Sequence, residues 1–179
     1  DNHRFNIFAG RFMKKETEII ITTGRLILRP WREDDAADLY RYASDGRVSK
    51  PAMWPRHTSL QMSLDVIRNV FMPYADTFAM TLAGTGEAIG CIGLVPEGCE
   101  NYPTLPGERE VGYWIGHPFW GKGLTPEALS ALIDYCRNIL GLNSLIITTN
   151  AHNSASQRVA EKCGFVFIED YTTDGMPGK

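Results

Sequence analysis

The stretch Glu110-Val111-Gly112-Tyr113-Trp114-Ile115-Gly116-His117-Pro118-Phe119-Trp120-Gly121-Lys122-Gly123-Leu124-Thr125-Pro126-Glu127-Ala128 organises the chain. An apolar and aromatic run ends at Gly116-His117-Pro118, a glycine-rich turn comes next, and a helical pattern begins directly after it. The order is strand, loop, helix N-terminus. The first N–H groups of a helix lack internal partners and the helix dipole adds partial positive charge there, so this junction suits an anion. Gly121 and Gly123 would let a phosphate approach the backbone, and Lys122 adds a cation. A purely structural turn is the alternative. The Gly-x-x-x-x-Gly-Lys-Ser/Thr spacing of a nucleotide P-loop is absent, as is the third glycine of the dinucleotide fingerprint. Thr125 and Pro126 read as N-cap and first helical residue.

Working outward, 179 residues with 44% hydrophobic and 22% charged content predict one domain with a sizeable core. A net charge of -3 supplies no basic footprint, so no nucleic-acid partner is expected. No apolar run reaches membrane-spanning length and no signal peptide is evident, so no membrane partner is expected. Cys91, Cys99, Cys136 and Cys163 lack Cys-x-x-Cys spacing and read as free core thiols of a reducing compartment, which places the chain in the cytoplasm. His3, His57, His117 and His152 are scattered, and no metal site is expected.

Residues Asp1 to Phe12 fit poorly with the rest of the chain, and Met13 looks like a natural start; the expectation is a leader, derived from expression or an upstream extension, before a single domain over 13–179. Arg25 to Pro30 is a strand with Leu26 and Leu28 on one face. Glu33-Asp34-Asp35 suits a first helical turn, read as dipole-favoured rather than catalytic, with Ala36, Leu39, Tyr40 and Ala43 as the apolar stripe. Gly46 to His57 reads as a loop. Thr58 to Gln61 has capping-box spacing before a helix that stops near Pro73.

Phe78 to Ala83 and Ala88 to Val95 read as a hairpin around Gly84-Thr85-Gly86-Glu87. The long loop Pro96 to Gly107 should lie at the surface and overhang a site. After the central junction, Leu129, Leu132, Ile133, Cys136 and Leu140 make a helix ended by Gly141. Leu145 to Thr149 reads as a buried strand, Ser154 and Gln157 as another capping box, and Phe165 to Ile168 as a further strand. The terminal Asp174 to Lys179, with its glycines and proline, does not suit a strand.

Two motifs carry a family resemblance. The run from Trp120 to Thr125 resembles motif A of the GNAT superfamily of acyl-coenzyme A-dependent N-acyltransferases, Gln/Arg-x-x-Gly-x-Gly/Ala, with Trp120 at the Gln/Arg position, Gly123 at the glycine and Thr125 at the final Gly/Ala. Trp-Gly-x-Gly after Gly-Tyr-Trp-Ile resembles the RimJ/RimL branch, the ribosomal-protein N-terminal acetyltransferases, as does Thr-x-Arg-Leu-x-Leu-Arg-Pro ending at Pro30. Asn153-x-x-Ser156 followed by Glu161-Lys162-x-Gly164-Phe165 resembles the second signature of that branch. Trp120 and Thr125 depart from the pattern, and the β-branched Thr125 narrows the turn.

The resemblance implies an α/β (α+β) GNAT fold: a mixed, mostly antiparallel twisted sheet of six to seven strands, about four flanking helices and splayed central strands. The chain end lacks the family's last strand, which leaves truncation, completion by a neighbouring chain, or a homodimer open. The implied co-substrate is acetyl-coenzyme A, held by Trp114, Ile115, Trp120, Gly121, Lys122, Gly123, Leu124 and Thr125, with Asn153 and Ser156 on the pantetheine arm and thiol end. Met53 and Trp54 are candidates for acceptor contact in the same way; the alternative is that they pack under their loop.

Acetyl transfer to nitrogen needs a neutral amine, a polarised thioester carbonyl and a proton for the leaving thiolate. Glu110, opening the central strand, is the first candidate base, directly or through water; a surface acid at a strand end is the alternative. Backbone N–H groups between Tyr113 and Ile115 would meet the thioester oxygen. Ser156 is the matching proton donor and Tyr113 an alternative acid. Direct attack in a ternary complex suffices. The expected acceptor is a protein N-terminus or a small-molecule primary amine. A coenzyme A-binding sensor without turnover is the competing class, and a nucleotide-binding protein is a third.

Overall fold

In the computed structural model, residues 18–173 and 176–178 are described. In chain order the strands are β1 (Ile21–Thr22), β2 (Leu26–Pro30), β3 (Thr77–Leu82), β4 (Ala88–Leu94), β5 (Glu108–Ile115), β6 (Ser144–Ile146), β7 (Tyr171–Thr173) and β8 (Met176–Gly178). The α-helices are α1 (Ala36–Ala43), α2 (Gly46–Ala52), α3 (Leu60–Val66), α4 (Leu124–Asn138) and α5 (Ser154–Lys162). Strands β1 to β6 form one sheet in sequence order, antiparallel at every seam except the last, where β5 and β6 run parallel.

Period-two alternation divides the core between the two faces of the sheet. Leu26 and Leu28 of β2, Phe78 and Met80 of β3 and Ile92 of β4 pack on one face against Ala128, Leu129, Leu132 and Cys136 of α4. On the other face Ala79 and Cys91 meet Leu39 and Ala43 of α1, with Trp31 and Ile67 beside them. Asp35 is buried at the start of α1, in bidentate contact with Arg29 at 2.7 and 2.8 Å and accepting the Arg32 amide at 2.9 Å. This acid is therefore part of a buried ion pair as well as a helix-start residue.

Several local expectations are corrected. The segment read as a loop contains α2, because the Asp45 side chain caps it by accepting from the Arg47 amide; Gly46 and Pro51 disguise it as a breaker run. Ser59, not Thr58, caps α3, its hydroxyl accepting from the Met62 amide. Gly123, not Thr125, is the N-cap of α4, and Thr125 is buried inside the first turn. Asn153, not Ser154, caps α5, its side chain accepting from the Ser156 amide, while Gln157 donates back to the carbonyls of Asn150 and Ala151.

Strand β6 ends at Ile146, short of Thr149, because β5 turns away from it. Residues 165–168 are not a strand, and Val166, Phe167 and Ile168 are exposed. Met176–Gly178 does pair, antiparallel with Tyr171–Thr173, in a separate two-stranded ribbon. Cys99 is exposed on its loop, unlike Cys91 and Cys136. Residues 1–12 lie outside the described residues. Among the described residues no helix is long and apolar enough to cross a membrane.

Candidate active site

The glycine-rich junction is built by β5, a single turn of 3-10 helix at His117–Phe119, and the start of α4. Gly121 and Gly123 have φ of 72° and 73°, a region where a Cβ is strained, so these two positions require glycine. With Gly123 as N-cap, α4 begins without a side-chain cap. Its opening amides are left facing the loop, where the helix dipole favours an anion. Pro126, third in the helix, has no N–H to leave unsatisfied.

Arg25 and Glu127 hold this junction against β2. Glu127 accepts from the Arg25 amide at 2.8 Å, from Arg25 Nε at 2.7 Å and from Thr23 Oγ1 at 2.6 Å. Arg25 in turn donates to the Lys122 carbonyl at 2.9 Å. Partial burial pushes Glu127 up, but the bonds from Thr23 and Arg25 outweigh it and hold the carboxyl below its usual range. Lys122 Nζ lies 5.5 Å from the centre of the Phe119 ring. Two cations, Arg25 and Lys122, thus stand at the helix N-terminus.

Trp120 is part of the loop's own framework. Its indole N–H donates to the Ile115 carbonyl at 2.9 Å, and its ring lies 4.8 Å from that of His117. This ties the turn back onto the strand that enters it.

Strands β5 and β6 are paired only over Glu108–Ser144, Arg109–Leu145 and Glu110–Ile146. Beyond these three pairs they part, and Glu110 sits at the apex of the fork. The β4–β5 register, together with bonds from the Val95 amide to the Glu110 carbonyl and from the Gly116 amide to the Ile89 carbonyl, turns the backbone of Gly112 and Trp114 toward β4. By alternation Val111, Tyr113 and Ile115 turn theirs into the fork. Ile115's carbonyl is taken by Trp120; the Tyr113 backbone and the Ile115 amide face the fork. Trp114 therefore offers the cleft its ring and not its amide.

On the α4–α5 side of β5, the Tyr113 hydroxyl donates to the Ser156 carbonyl at 2.9 Å and accepts from Ser156 Oγ at 3.1 Å. Burial pushes the Tyr113 phenol up to about 12, so it holds its proton through the neutral range. Asn153 spends its side-chain oxygen on capping α5.

On the opposite side, Glu110 is 1% exposed. Its carboxylate accepts from the Asn101 amide at 2.7 Å, from Asn101 Nδ2 at 2.8 Å and from Thr148 Oγ1 at 2.5 Å. Asn101 brings the long loop 96–107 onto Glu110. Neither Asn101 nor Thr148 stands out in the sequence: one is an ordinary loop residue, the other falls in a β-branched run. Two positions along the same face, past the exposed Gly112, the Trp114 ring meets Trp54 at 5.6 Å, and Trp54 meets the buried His57 at 5.7 Å. His57 is fixed by Ser63 Oγ at 2.8 Å from Nδ1, and burial lowers its basicity. Met53 is exposed, in the left-handed region at φ 59°, and its sulfur lies 3.2 Å from Asn150 Nδ2 beyond the end of β6. Trp54 is thus packed against Trp114 and His57, while Met53 stays exposed against Asn150.

A groove of about 600 Å³ runs along the outer edge of β6, lined by Leu145, Ile147, Cys163, Phe165 and Val166; it borders Thr148 but none of Trp120 to Thr125 lines it. It is separate from the glycine-rich junction. Among the described residues no group of three or more His, Cys, Asp or Glu could hold a metal.

The Acetyltransferase (GNAT) domain family matches residues 25–166. The N-acetyltransferase p20 of Bacillus licheniformis, itself uncharacterized, is 31% identical over 147 residues, covering 80% of each chain. YdaF of Bacillus subtilis, by name a candidate ribosomal N-acetyltransferase, is 32% identical over 121 residues, 64% of this chain and 63% of its own. The crystal structure of a GNAT-family acetyltransferase from Bacillus anthracis superposes with a TM-score of 0.74 at 21% identity, covering 89% of this chain and 95% of that one. The resemblance read from the two motifs, and the mixed sheet with parted central strands, agree with these findings. The chain belongs to the GNAT family, and is an acetyl-coenzyme A-dependent N-acyltransferase.

Proposed function

We propose that the protein transfers the acetyl group of acetyl-coenzyme A to a primary amine by direct attack within a ternary complex, the acceptor being a protein N-terminus or a small-molecule amine. The fork between β5 and β6 supports this reading, because it runs from a buried carboxylate at its apex along the open edge of β5 towards the loop that opens α4 without a side-chain cap. The pyrophosphate would lie on the backbone of Gly121 to Thr125, with Lys122 and Arg25 beside it. The pantetheine arm would pair with the open edge of β5, bringing the thioester carbonyl to backbone N–H donors that need no reorganisation.

The amine nitrogen attacks the thioester carbon; the C–N bond forms, the C–S bond breaks, and the thiolate takes a proton. Ser156 and Tyr113, joined by their hydroxyls, stand as the donor pair for that thiolate, and Glu110 as the base for an amine that is mostly protonated at neutral pH. Trp114 and Met53 border the acceptor side. The name of YdaF, a candidate ribosomal N-acetyltransferase, favours a ribosomal acceptor among these.

The test combines binding and turnover. Acetyl-coenzyme A at a hundred times its dissociation constant should stabilise the fold by about 2.7 kcal/mol, an effect abolished in Gly123→Glu. A panel of N-terminal peptides and small amines, read by mass gain of one acetyl group, should contain an acceptor, and initial rates varied in both substrates should give intersecting lines. Binding with no acetylated acceptor anywhere in the panel would favour a sensor instead; parallel lines would replace direct attack with an acyl-enzyme.

A further inference from the structure

Glu110 poses a problem of access. A carboxylate that is 1% exposed cannot meet an incoming amine directly. Its three contacts come from the Asn101 amide, Asn101 Nδ2 and Thr148 Oγ1. The two Asn101 groups are N–H donors with no lone pair to offer, so they can hold the carboxylate but cannot pass a proton to it. The Thr148 hydroxyl differs: it donates its hydrogen to Glu110 Oε1 at 2.5 Å and keeps lone pairs that can accept another. Thr148 is half-buried and lies two residues beyond Ile146, where β6 has just left β5. It therefore links the buried carboxylate to the partly open ground just past the end of the seam.

We infer that Thr148 is the proton conduit of the acetyl transfer, and that Asn101 positions Glu110 for it. This rests on the amine-acetylation reading above. The acceptor ammonium gives a proton to Thr148 Oγ1 as the Thr148 hydroxyl proton moves to Glu110 Oε1, leaving a neutral amine, an intact threonine and a protonated Glu110. The amine attacks, the Ser156–Tyr113 hydroxyl pair gives the departing thiolate its proton and is replenished by the second proton of the amine, and Glu110 later returns its proton to solvent along the Thr148 hydroxyl. The sum is ammonium plus acetyl-coenzyme A giving amide, free coenzyme A thiol and one proton. Asn101, bonding both carboxylate oxygens, fixes the plane of Glu110 so that Oε1 faces Thr148.

The test uses an acceptor found in the panel, with Thr148→Val, Thr148→Ser and Glu110→Gln alongside the unaltered chain. Thr148→Val should lower kcat on the order of 10²-fold at neutral pH, the scale of a lost general base, with the KM for acetyl-coenzyme A and its thermal shift unchanged. Thr148→Ser, which restores the hydroxyl, should recover most of the rate. The Thr148→Val deficit should narrow towards about pH 9.5, where an alkyl amine is increasingly deprotonated without help; a packing defect would not narrow. A Thr148→Val enzyme at the unaltered rate while Glu110→Gln is crippled would overturn the conduit and leave the acetylation reading standing. An unaltered rate in Glu110→Gln would overturn both the conduit and Glu110 as base. Failure of acetyl-coenzyme A to bind at all would instead be a failure of the underlying reading.

Discussion

Arg25 and Glu127 are locked together across 102 residues of chain: one carboxylate in the first turn of α4 receives both the backbone amide and the guanidinium of the residue just before β2. The loop that precedes α4 is therefore positioned from outside itself. Glu127→Ala should raise the KM for acetyl-coenzyme A more than it lowers kcat. The stability cost should be about 1 kcal/mol, because Arg25 is half exposed and its charge is screened, which corresponds to about 2 to 4 °C in midpoint.

The same contact has a pH signature. Glu127 is held below its usual carboxyl value, so its contribution is fully present above the unfolded pKa near 4.5 and is lost as pH falls through the lower folded value. The midpoint difference between the unaltered chain and Glu127→Ala, measured by thermal unfolding, should be constant from neutral pH down to about 5 and then shrink on further acidification. A difference that grows on acidification would contradict the assignment.

Gly123 carries φ 73° with the nearest heavy atom to a built Cβ, Arg25 Nη2, at 3.6 Å. Gly123→Ala meets no clash, so its penalty is the backbone conformation, about 1 to 2 kcal/mol. Unfolding midpoints should fall accordingly, and the stabilisation by acetyl-coenzyme A should shrink beyond that fall if the loop relaxes out of the left-handed region.

Tyr113→Phe strips the donor from the Ser156 carbonyl and the acceptor from the Ser156 hydroxyl in one change. Those unpaired groups should cost about 1 to 3 kcal/mol. If the pair supplies the thiolate proton, kcat should drop while acetyl-coenzyme A binding, read by calorimetry, stays within a few-fold. Because the phenol is pushed up to about 12, the unaltered enzyme should show no loss of rate from its ionisation below about pH 11.

Met53 is the one non-glycine residue with positive φ among the described residues. Met53→Gly should be tolerated in stability, whereas Met53→Val, β-branched at the same angle, should cost more than about 1 kcal/mol. Both should raise the acceptor KM if the contact with Asn150 shapes the fork mouth, with the acetyl-coenzyme A KM as the internal control.

The sheet and the glycine-rich loop were legible because their signals are local. Alternation in Leu26–Pro30, the Gly84–Glu87 turn signal between β3 and β4, and the Gly121–Gly123 spacing are properties of neighbours in sequence. Helix α2 was hidden by Pro51 and Gly46, whose usual meaning was overridden by the Asp45 cap. Thr125-Pro126 imitates a helix start, but the positive φ of Gly123 already begins the helix one residue before Thr125. Glu110 was legible as an acid of the central strand, but it is the third residue of β5 and not its opening one, and its burial was not legible, since that depends on Asn101 and Thr148 arriving from 9 residues before it and 38 beyond it. No pattern in the chain announces such a convergence.

The parallel seam of only three residue pairs has a dynamic consequence. Antiparallel β2 to β5 are stitched by long ladders between chain neighbours, whereas β6 reaches β5 by a crossover and holds it briefly. Opening free energy is set by the contacts that must be broken, so the amides of Ser144 to Ile146 should exchange with deuterium well before those of β3 and β4. The width of the fork is then governed by a seam shorter than any between β2 and β5, and an acetyl-coenzyme A arm bridging the two strands would act as the missing length of ladder, slowing exchange on both sides at once.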